Sequence, residues 1–385
     1  MSHWIFTEEH KIFRKSVRKF IEKEVTPYVE QYEEAGETPR VLFERMAELG
    51  FLGIKYPEEY GGLGLDLVTE MVFLEELSKC GAGGTGAAIG AHIGIATTPI
   101  WRFGSHEQKE KYLVPAIKGE KIAALGITEP GAGSDVSSIA TKAVREGDHY
   151  ILNGSKTFIT NGVNADFIIV AAKTADSLPH MSLSLFIVET AWEGFSVGKK
   201  LDKLGWRSSD TGELYFENMK IPVENMIGEE NEGFKKIMVN FQWERLTMAF
   251  TSVALAEKVL EETVQYARDR KQFGDSILQF QVLRHKLVDM AVDIEKAKNI
   301  TYRAVEQYSK GVNVTTEATM AKAYAAEMVN RVCDEALQIH GGNGYMMEYP
   351  IQRYWRDARL QPIGGGTTQI MREILSKRLK ITDGF

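Results

Sequence analysis

The sequence predicts an α+β protein in which a block of β-strands separates two blocks of α-helices. Apolar residues near both ends of the chain recur with the 3.6-residue period of amphipathic helices, whereas the middle contains short β-rich runs. The chain has 385 residues, 44% of them apolar and 10% aromatic, which suits two or three domains in one body. We therefore expect an N-terminal helical domain at 1–120, a central β domain at 121–231 and a C-terminal helical domain at 232–385.

The first segment opens with an amphipathic helix. Four apolar residues follow the i, i+4, i+7, i+8 spacing of a single helix face: Phe13, Val17, Phe20 and Ile21. Thr7 precedes them and is the predicted N-cap, and Pro27 ends the pattern. A second helical pattern occupies 67–80, after a glycine-rich loop.

The central segment changes to short runs of β-forming residues. They lie at 150–152, 167–170, 183–188 and 214–216. Asn153-Gly154 separates the first run from the next, and this dipeptide is typical of a two-residue hairpin turn. Runs this short and this closely spaced favour a small β-barrel or a β-sandwich.

Helical periodicity returns in the third segment. The long stretches lie near 233–268, 281–309 and 315–339. Long helices joined by short loops predict an antiparallel bundle. The order along the chain is therefore helices, strands, helices.

Composition excludes several classes of function. The formal net charge is −7, which gives no support for nucleic-acid binding. Cys80 and Cys333 lack CxxC spacing, so we predict neither a metal site nor a disulfide. A reducing compartment is expected, the cytoplasm or, in a eukaryote, the mitochondrial matrix. We expect no secretory leader and no membrane span, because no apolar run reaches the ~20 residues that cross a bilayer.

The most informative candidate residue is Glu244. Its helical pattern places it in a stripe about 80° wide with five other residues: Ile237, Phe241, Met248, Thr251 and Leu255. An ionised carboxylate is costly to bury in such a stripe, so burial would raise its pKa toward neutrality and suit it to general-base catalysis. The structural alternative is a partly exposed glutamate near a helix start, stabilised by the helix dipole. Arg245 follows it in sequence but points elsewhere on the helix.

Three glycine-containing segments would let a backbone approach a ligand closely. They are 127–135, 339–345 and 363–370. Each also has a structural interpretation: a Pro-Gly turn, a helix C-cap and a loop, in that order. On the same basis His340 is a structural rather than a catalytic histidine. The sequence contains no zinc-protease, Walker A or serine-hydrolase motif, and no metal is predicted.

Taken together and in this order, the TEPGAGSD segment at 128–135 and the IHGGNGY segment at 339–345 resemble the acyl-CoA dehydrogenase family. The resemblance covers essentially the whole chain. It implies a helical N-terminal domain, a central β-barrel and a C-terminal four-helix bundle, assembled as a homotetramer. It also implies FAD as cofactor, an acyl-CoA as substrate and an electron-transfer flavoprotein as electron acceptor. The implied reaction is α,β-dehydrogenation of the thioester, as in fatty-acid β-oxidation.

The resemblance also implies individual contacts. The contacts that the central domain would make with the flavin are Ile127, Thr128, Gly133, Ser134, Phe158 and Thr160. Ser134 would also contact the thioester, and Phe158 would cover the flavin. Contacts that a neighbouring subunit would supply to the pyrophosphate and adenine are Arg270, Gln272, Phe273, Gln338 and Gly342. Thr367 and Gln369 match cofactor contacts after the glycine run, and Arg245 matches an arginine near the thioester end of CoA.

The chain departs from the usual family motif at one position. Most members carry the catalytic glutamate in Tyr-Glu-Gly-Thr, but here Gly365 stands in place of that base. The long-chain and isovaleryl branches carry the base on another helix, in a Glu-Arg-Leu motif that Glu244-Arg245-Leu246 matches. The resemblance thus implies that Glu244 is the base and that the Gly365 N–H binds the enolate oxygen.

The surrounding text is more similar to the long-chain branch, so we expect medium- to long-chain acyl groups. Small residues in 81–98, including Gly84, Gly90 and Gly94, would leave room for the acyl tail. An isovaleryl or other branched-chain acyl-CoA dehydrogenase is the alternative. Further alternatives are an acyl-CoA oxidase or flavin monooxygenase of the same fold, and a catalytically silent binding protein.

Overall fold

The computed structural model describes residues 3–381, in which a curled sheet separates two helical regions. This architecture confirms the predicted α+β fold and its order along the chain. The exact domain boundaries stay predictions. The helices of the first region are α1 (Glu8–Glu24), α2 (Val29–Ala35), α3 (Arg40–Glu48), α4 (Leu67–Ser78), α5 (Gly83–Gly90), α6 (Thr98–Phe103), α7 (His106–Gln108) and α8 (Val114–Ile117).

Thr7 begins α1 as predicted. Its hydroxyl accepts a hydrogen bond from the N–H of His10, and the His10 ring accepts one from the N–H of Thr7. This reciprocal pair satisfies two of the donors that a helix start leaves without a partner. The helix ends at Glu24, and Pro27 lies in the short 3₁₀ turn that follows.

Helix α4 lies in the middle of the helical body and is buried on nearly all sides. Three acidic residues lie on it, and each of them has a partner on another element. Glu70 accepts a hydrogen bond from the Trp243 indole at 2.8 Å, and Arg14 of α1 forms ion pairs with Glu75 and Glu76 at 2.7 and 2.8 Å. These contacts fix α4 between the first helix of the chain and the C-terminal helices.

One mixed sheet forms the central region. Its strands are β1 (Ala123–Gly126), β2 (Lys142–Glu146), β3 (His149–Thr160), β4 (Phe167–Lys173), β5 (Leu183–Glu189), β6 (Phe195–Lys200) and β7 (Thr211–Pro222). The strand order is β1-β4-β2-β3-β7-β6, and β5 pairs with β4 in addition. Strand β4 is apolar from Phe167 to Ala172, where both of its faces are buried, one against the N-terminal helices and one inside the curl of the sheet.

The predicted hairpin at Asn153-Gly154 is wrong. Both residues lie inside the long strand β3, where the pairing with β7 shifts register between Leu152 and Gly154. Gly154 has φ +151°, and a Cβ there would overlap Thr141, so the glycine marks a bulge in a continuous strand. The hairpin turn joins β2 to β3 at Gly147-Asp148, since Glu146 pairs with His149.

The third region contains the three predicted long helices. They are α9 (Gly233–Asp269), α10 (Gln281–Ser309) and α11 (Thr315–His340), within a residue of the expected bounds. Two strands of two residues, β8 (Lys271–Gln272) and β9 (Asp275–Ser276), join α9 to α10. Two shorter helices, α12 (Ile351–Ala358) and α13 (Thr368–Arg378), pack on α11 and complete the bundle.

The two helical regions share one apolar core. Residues such as Met71 and Leu74 of α4 belong to the same cluster as Leu246 of α9 and Val329 of α11. A further link is the Asp357 carboxylate of α12, which accepts the backbone N–H groups of Gly83 at 2.9 Å and Trp206 at 2.6 Å. The first, central and third regions therefore meet around one buried carboxylate.

Both cysteines are free and buried. Burial raises the pKa of the Cys80 thiol to about 11 and raises the pKa of Cys333 further. Within residues 3–381, no helix combines the length and apolar composition needed to cross a membrane. The same residues contain no group of three His, Cys, Asp or Glu side chains placed to hold a metal ion.

Candidate active site

Glu244 lies on α9 in the apolar surroundings that its spacing predicts. Ile237 and Leu255 of the stripe are buried, and its other members are partly buried. Although Glu244 as a whole is partly exposed, its Oε2 atom is buried and has no hydrogen-bond partner among residues 3–381. Burial raises the pKa of this carboxyl to about 7, against the opposing effect of the nearby Arg245 and Lys322 cations. A carboxylate with this pKa is ionised about half of the time at neutral pH, which suits a general base.

The glycine run faces this carboxylate. Gly365 has φ +59°, and a Cβ built on it would lie 3.5 Å from Glu244 Oε1 and would overlap the Met248 sulfur. A side chain here would be strained by the backbone conformation and would require the Met248 side chain to move. The structure thus brings together the two residues that the resemblance assigns to proton removal and oxygen binding.

Arg245 does not contact Glu244 directly. Its guanidinium donates a 3.4 Å hydrogen bond to Thr319 Oγ1 of α11 and lies over the Phe241 ring. The Arg245 side chain is buried, and its Nε has no hydrogen-bond partner in the described part of the chain. A buried cation with an unsatisfied donor is a reasonable contact for an anionic or carbonyl group of a ligand.

Sequence analysis missed Lys322, which α11 places at the same site. Its side chain is fully buried, and its Nζ donates a 2.5 Å hydrogen bond to the carbonyl of Gly366. No local pattern in the sequence marks this lysine, because its partner lies 44 residues away.

Phe158 and Thr160 lie at the end of β3, at a second irregularity of the sheet. The register between β3 and β7 shifts between Lys156 and Ile159, and Phe158 adopts φ +60°. A positive φ is strained for an aromatic residue. The result is a phenyl ring that is 68% exposed on a strand whose neighbouring residues are buried. Such a ring is available to stack on a planar ligand.

The 127–135 segment is clamped to β3. Lys156 Nζ donates to the Ile127 carbonyl at 3.0 Å and to Glu129 Oε1 at 2.7 Å. Glu129 also accepts the N–H groups of Ala140 and Thr141 at 2.5 and 3.0 Å. Because these interactions are buried, they hold the start of the segment firmly beside the strand that carries Phe158.

The remainder of this segment faces open space. Gly133 and Ser134 are exposed, and no heavy atom lies within 4 Å of a Cβ built on Gly133. Thr128 is partly buried, and its carbonyl accepts the N–H of Thr157. The backbone and the Ser134 hydroxyl are therefore accessible to a flavin, and with the exposed Phe158 ring these residues fit that cofactor.

A second group of predicted residues lines one groove at the far end of α9. The groove has a volume of about 440 Å³. The five predicted residues are all among those that line it: Arg270, Gln272, Phe273, Gln338 and Gly342. Phe273 is 94% exposed at the tip of the β8-β9 hairpin, where the positive φ of both turn residues fits a type I′ turn.

His340 at the edge of this groove has the structural role that its sequence context predicts. Its Nδ1 lies 2.7 Å from the Ala336 carbonyl, and its ring stacks on Tyr266 with centroids 4.1 Å apart. Tyr266 in turn donates to the His340 carbonyl at 3.1 Å. Burial lowers the pKa of His340, so the neutral ring supports the helix end rather than a reaction.

Thr367 and Gln369 line a different groove, also of about 440 Å³. Thr367 is the N-cap of α13, where its hydroxyl accepts the N–H of Ile370. Neither groove has Glu244, Gly365 or Phe158 among its described lining residues. The predicted cofactor contacts thus occupy three separate places on one chain.

Models of three consecutive protein-family domains match most of the chain. The match to the acyl-CoA dehydrogenase N-terminal domain covers residues 7–120. The middle domain of the same family matches residues 124–219, and its C-terminal domain matches residues 231–380.

Curated relatives are similar over nearly the full chain. The mitochondrial long-chain specific acyl-CoA dehydrogenase of Rattus norvegicus is 41% identical, over 97% of this chain and 87% of its own length. The short-chain specific acyl-CoA dehydrogenase of Clostridium acetobutylicum is 41% identical, over 97% of this chain and 98% of its own. The 3-(aryl)acrylate reductase of Clostridium sporogenes is 40% identical, over 97% and 99%.

Solved structures share the fold closely. An acyl-CoA dehydrogenase from Geobacillus kaustophilus superposes with a TM-score of 0.96 at 42% identity, covering 98% of this chain and 100% of its own. A chain from a study of the electron transferring flavoprotein of Acidaminococcus fermentans gives 0.95 at 42% identity, covering 98% and 99%. An acyl-CoA dehydrogenase from Bacillus anthracis complexed with FAD gives 0.92 at 35% identity, covering 98% and 68%.

Proposed function

The chain belongs to the acyl-CoA dehydrogenase family of FAD-dependent oxidoreductases, and we propose that it dehydrogenates a fatty acyl-CoA with Glu244 as the base. The observation that carries this proposal is the buried Glu244 carboxylate, which has a pKa near neutrality and faces a backbone without a side chain at Gly365. Gly365 stands where most family members carry the catalytic glutamate. Here the Glu244 carboxylate reaches the same space from α9.

The residues of this chain would act on the thioester in two ways. The Gly365 N–H would hydrogen-bond the thioester oxygen, and a donor of this kind contributes about 3–4 kcal/mol when charge develops on that oxygen. Glu244 would then take the α proton, which becomes acidic enough as the enolate is stabilised. The chemistry that FAD supplies when bound is acceptance of the β hydride.

We assign the flavin ring to the open face of the 127–135 segment. Ile127, Thr128, Gly133 and Ser134 would contact it through backbone and hydroxyl groups, and Phe158 with Thr160 would cover it. Two features support this assignment: the exposed aromatic ring with its positive φ, and the open space beside Gly133. Ser134 and Arg245 would also contact the thioester end of the substrate.

The groove formed by Arg270, Gln272, Phe273, Gln338 and Gly342 would receive the adenine and pyrophosphate of the FAD held by a neighbouring subunit. Thr367 and Gln369 would contact FAD from their own groove, after the glycine run. The separation of these grooves from Phe158 supports a shared site in an oligomer, for which we propose a homotetramer. The outward face of α10, with exposed Val282, Val288 and Val292, supplies apolar surface for such an assembly.

Within fatty acyl-CoAs we propose a medium- to long-chain preference, although relatives of about equal identity carry short- and long-chain names. The expected small residues do not all support it. A Cβ at Gly84 would meet the backbone of Trp206 and Ser209, so this glycine serves packing between domains. Gly90 and Gly94, by contrast, have only ordinary contacts at 3.8 and 3.9 Å, with Leu74 and Glu70. They are the positions that would border a tail.

An electron-transfer flavoprotein is the proposed acceptor, and the similarity to a chain from a study of such a protein supports it. Anaerobic titration of the flavin-loaded protein with acyl-CoAs of four to sixteen carbons tests the function. We expect loss of the oxidised-flavin absorbance, strongest for medium and long chains. No bleaching by any straight or branched acyl-CoA would contradict dehydrogenation. Rapid reoxidation by O₂ would instead identify an oxidase.

A further inference from the structure

Lys322 occupies an unusual position beside the proposed base. It lies on α11 one turn after Thr319, the partner of Arg245, and its side chain has no exposed surface. Within residues 3–381 it forms no direct ion pair. Its Nζ is instead hydrogen-bonded to the carbonyl of Gly366, next to Gly365. Burying an ammonium group without a direct counter-ion is costly, so the position calls for an explanation beyond packing.

The glycine run is the first part of that explanation. Gly365 and Gly366 both have positive φ values, +59° and +90°, so this backbone has few conformational restraints of its own. The Lys322 ammonium holds the Gly366 carbonyl at 2.5 Å, and this contact fixes the Gly366–Thr367 peptide at the end of the glycine run. The Gly365 N–H lies two peptide units earlier, so the anchor restrains the run that carries this N–H without contacting it.

Charge is the second part. The charged groups that act on the pKa of Glu244 are Arg245 on its own helix and Lys322 on α11, and both cations oppose the effect of burial. Arg245 has a second partner in Thr319. Burial lowers the pKa of Lys322 to about 8, which still leaves it mostly protonated at neutral pH. Lys322 therefore contributes a positive charge near the base while it is hydrogen-bonded to the glycine run.

We propose that Lys322 is a positioning residue for this reaction, which fixes the glycine run through Gly366 and keeps Glu244 ionised for proton removal. This role rests on the proposed dehydrogenation. Lys322 needs no contact with the substrate, since it acts through a carbonyl on one side and through its charge on the other.

Two substitutions separate the two effects. Lys322→Met removes the charge and the hydrogen bond at similar side-chain length. Lys322→Arg keeps a charge but places a planar guanidinium in a slot shaped for an ammonium group. Lys298→Met is the matched control, because Lys298 is a mostly buried lysine on α10 that pairs with Glu257 away from the site. The measurements are the pH profile of kcat/KM and the deuterium uptake of the peptide spanning 360–371, both on the flavin-loaded protein.

For Lys322→Met we expect the acidic limb of the pH profile to move up by about one unit, because Lys322 lowers the pKa of Glu244 and a nearby opposite charge shifts a carboxyl pKa by ~1–3 units. Deuterium uptake in 360–371 should rise. Lys322→Arg should keep the limb within about 0.3 units but lose about tenfold in kcat, since the charge stays and the orientation does not. Lys298→Met should match the wild type in both measurements.

The proposal would be overturned by a Lys322→Met protein that matches the wild type both in the acidic limb of its pH profile and in the deuterium uptake of 360–371. If that variant does not fold, Lys322→Arg with unchanged kcat and unchanged uptake would overturn it equally. Wild-type protein that oxidises no acyl-CoA would contradict the proposed function but not the structural role of Lys322. In that case the uptake of 360–371 still decides whether Lys322 fixes the glycine run.

Discussion

Two glutamates of this chain, each with a buried carboxylate oxygen, have opposite surroundings. Glu129, beside the sheet, accepts hydrogen bonds from Lys156 and from the N–H groups of Ala140 and Thr141. Glu244, on α9, has an Oε2 atom that no donor reaches. Burial would raise both pKa values, but Lys156 and the two N–H groups bring the pKa of Glu129 below its usual range, whereas that of Glu244 rises to about 7.

The difference separates structural from chemical roles. A carboxylate whose two oxygens both accept hydrogen bonds holds its neighbours in place and binds a proton less readily. A carboxylate without hydrogen-bond donors destabilises the folded chain, but it remains able to accept a proton. The contrast predicts that substituting Glu129 will mainly affect stability and that substituting Glu244 will mainly affect rate.

The largest effect is expected from Glu244→Gln. Flavin reduction by acyl-CoA should slow by about 10³-fold or more, because general-base catalysis contributes ~10²–10⁴-fold. Stopped-flow absorbance under anaerobic conditions measures this rate. The same change at Glu261, an exposed residue of α9, is the matched control and should leave the rate unchanged. Near-normal reduction by Glu244→Gln would remove Glu244 from the mechanism.

The next effect should come from Glu129→Gln, which leaves the buried Lys156 ammonium without a negative partner. Removing one member of a buried ion pair costs about 3–5 kcal/mol of unfolding free energy. Urea titration followed by fluorescence measures the loss. A double variant, Glu129→Gln with Lys156→Met, should be less destabilised than Glu129→Gln alone. Equal stability of the single variant and the wild type would contradict the contrast between the two glutamates.

The smallest effect should be a difference in how stability depends on pH. The pKa of Glu244 is raised in the folded state, so the proton stabilises folding, and this contribution is lost as pH rises from about 4.5 to about 7. Glu244→Gln lacks that loss and should gain stability over the wild type across the same interval. For Glu129 the pKa is lowered, so its contribution is lost only as pH falls below the usual carboxyl range. Thermal melts of both Gln variants from about pH 2.5 to about pH 8 check the two signs, the lower part of the range for Glu129 and the upper part for Glu244.

Sequence reasoning succeeded where the signal is periodic and local. The long helices were found within a residue because their apolar faces repeat over many turns, and Glu244 stood out as the exception within such a face. The predicted hairpin turn at Asn153-Gly154 is wrong because this dipeptide occurs in both hairpins and bulges. The pairing with strand β7 decides between the two. Gly147-Asp148, the turn that forms, is a weaker but recognised signal.

Residue spacing alone could not predict features that depend on packing between segments far apart in the sequence. The groove at 270–273 and 338–342 joins residues about 70 positions apart, and only the family resemblance placed them together. The exposure of Phe158 depends on a register shift that no local pattern indicates. Lys322 gave no signal at all, since a lysine within a helix is ordinarily solvent-exposed.

The two cysteines have a practical consequence. With only Cys80 and Cys333 in the sequence, and both thiols buried and held well above their ordinary pKa, neither offers an accessible thiolate to a maleimide probe. One cysteine introduced on the surface would therefore be labelled selectively. A fluorophore on the β8-β9 hairpin could then report subunit assembly in a chain that retains both of its native cysteines.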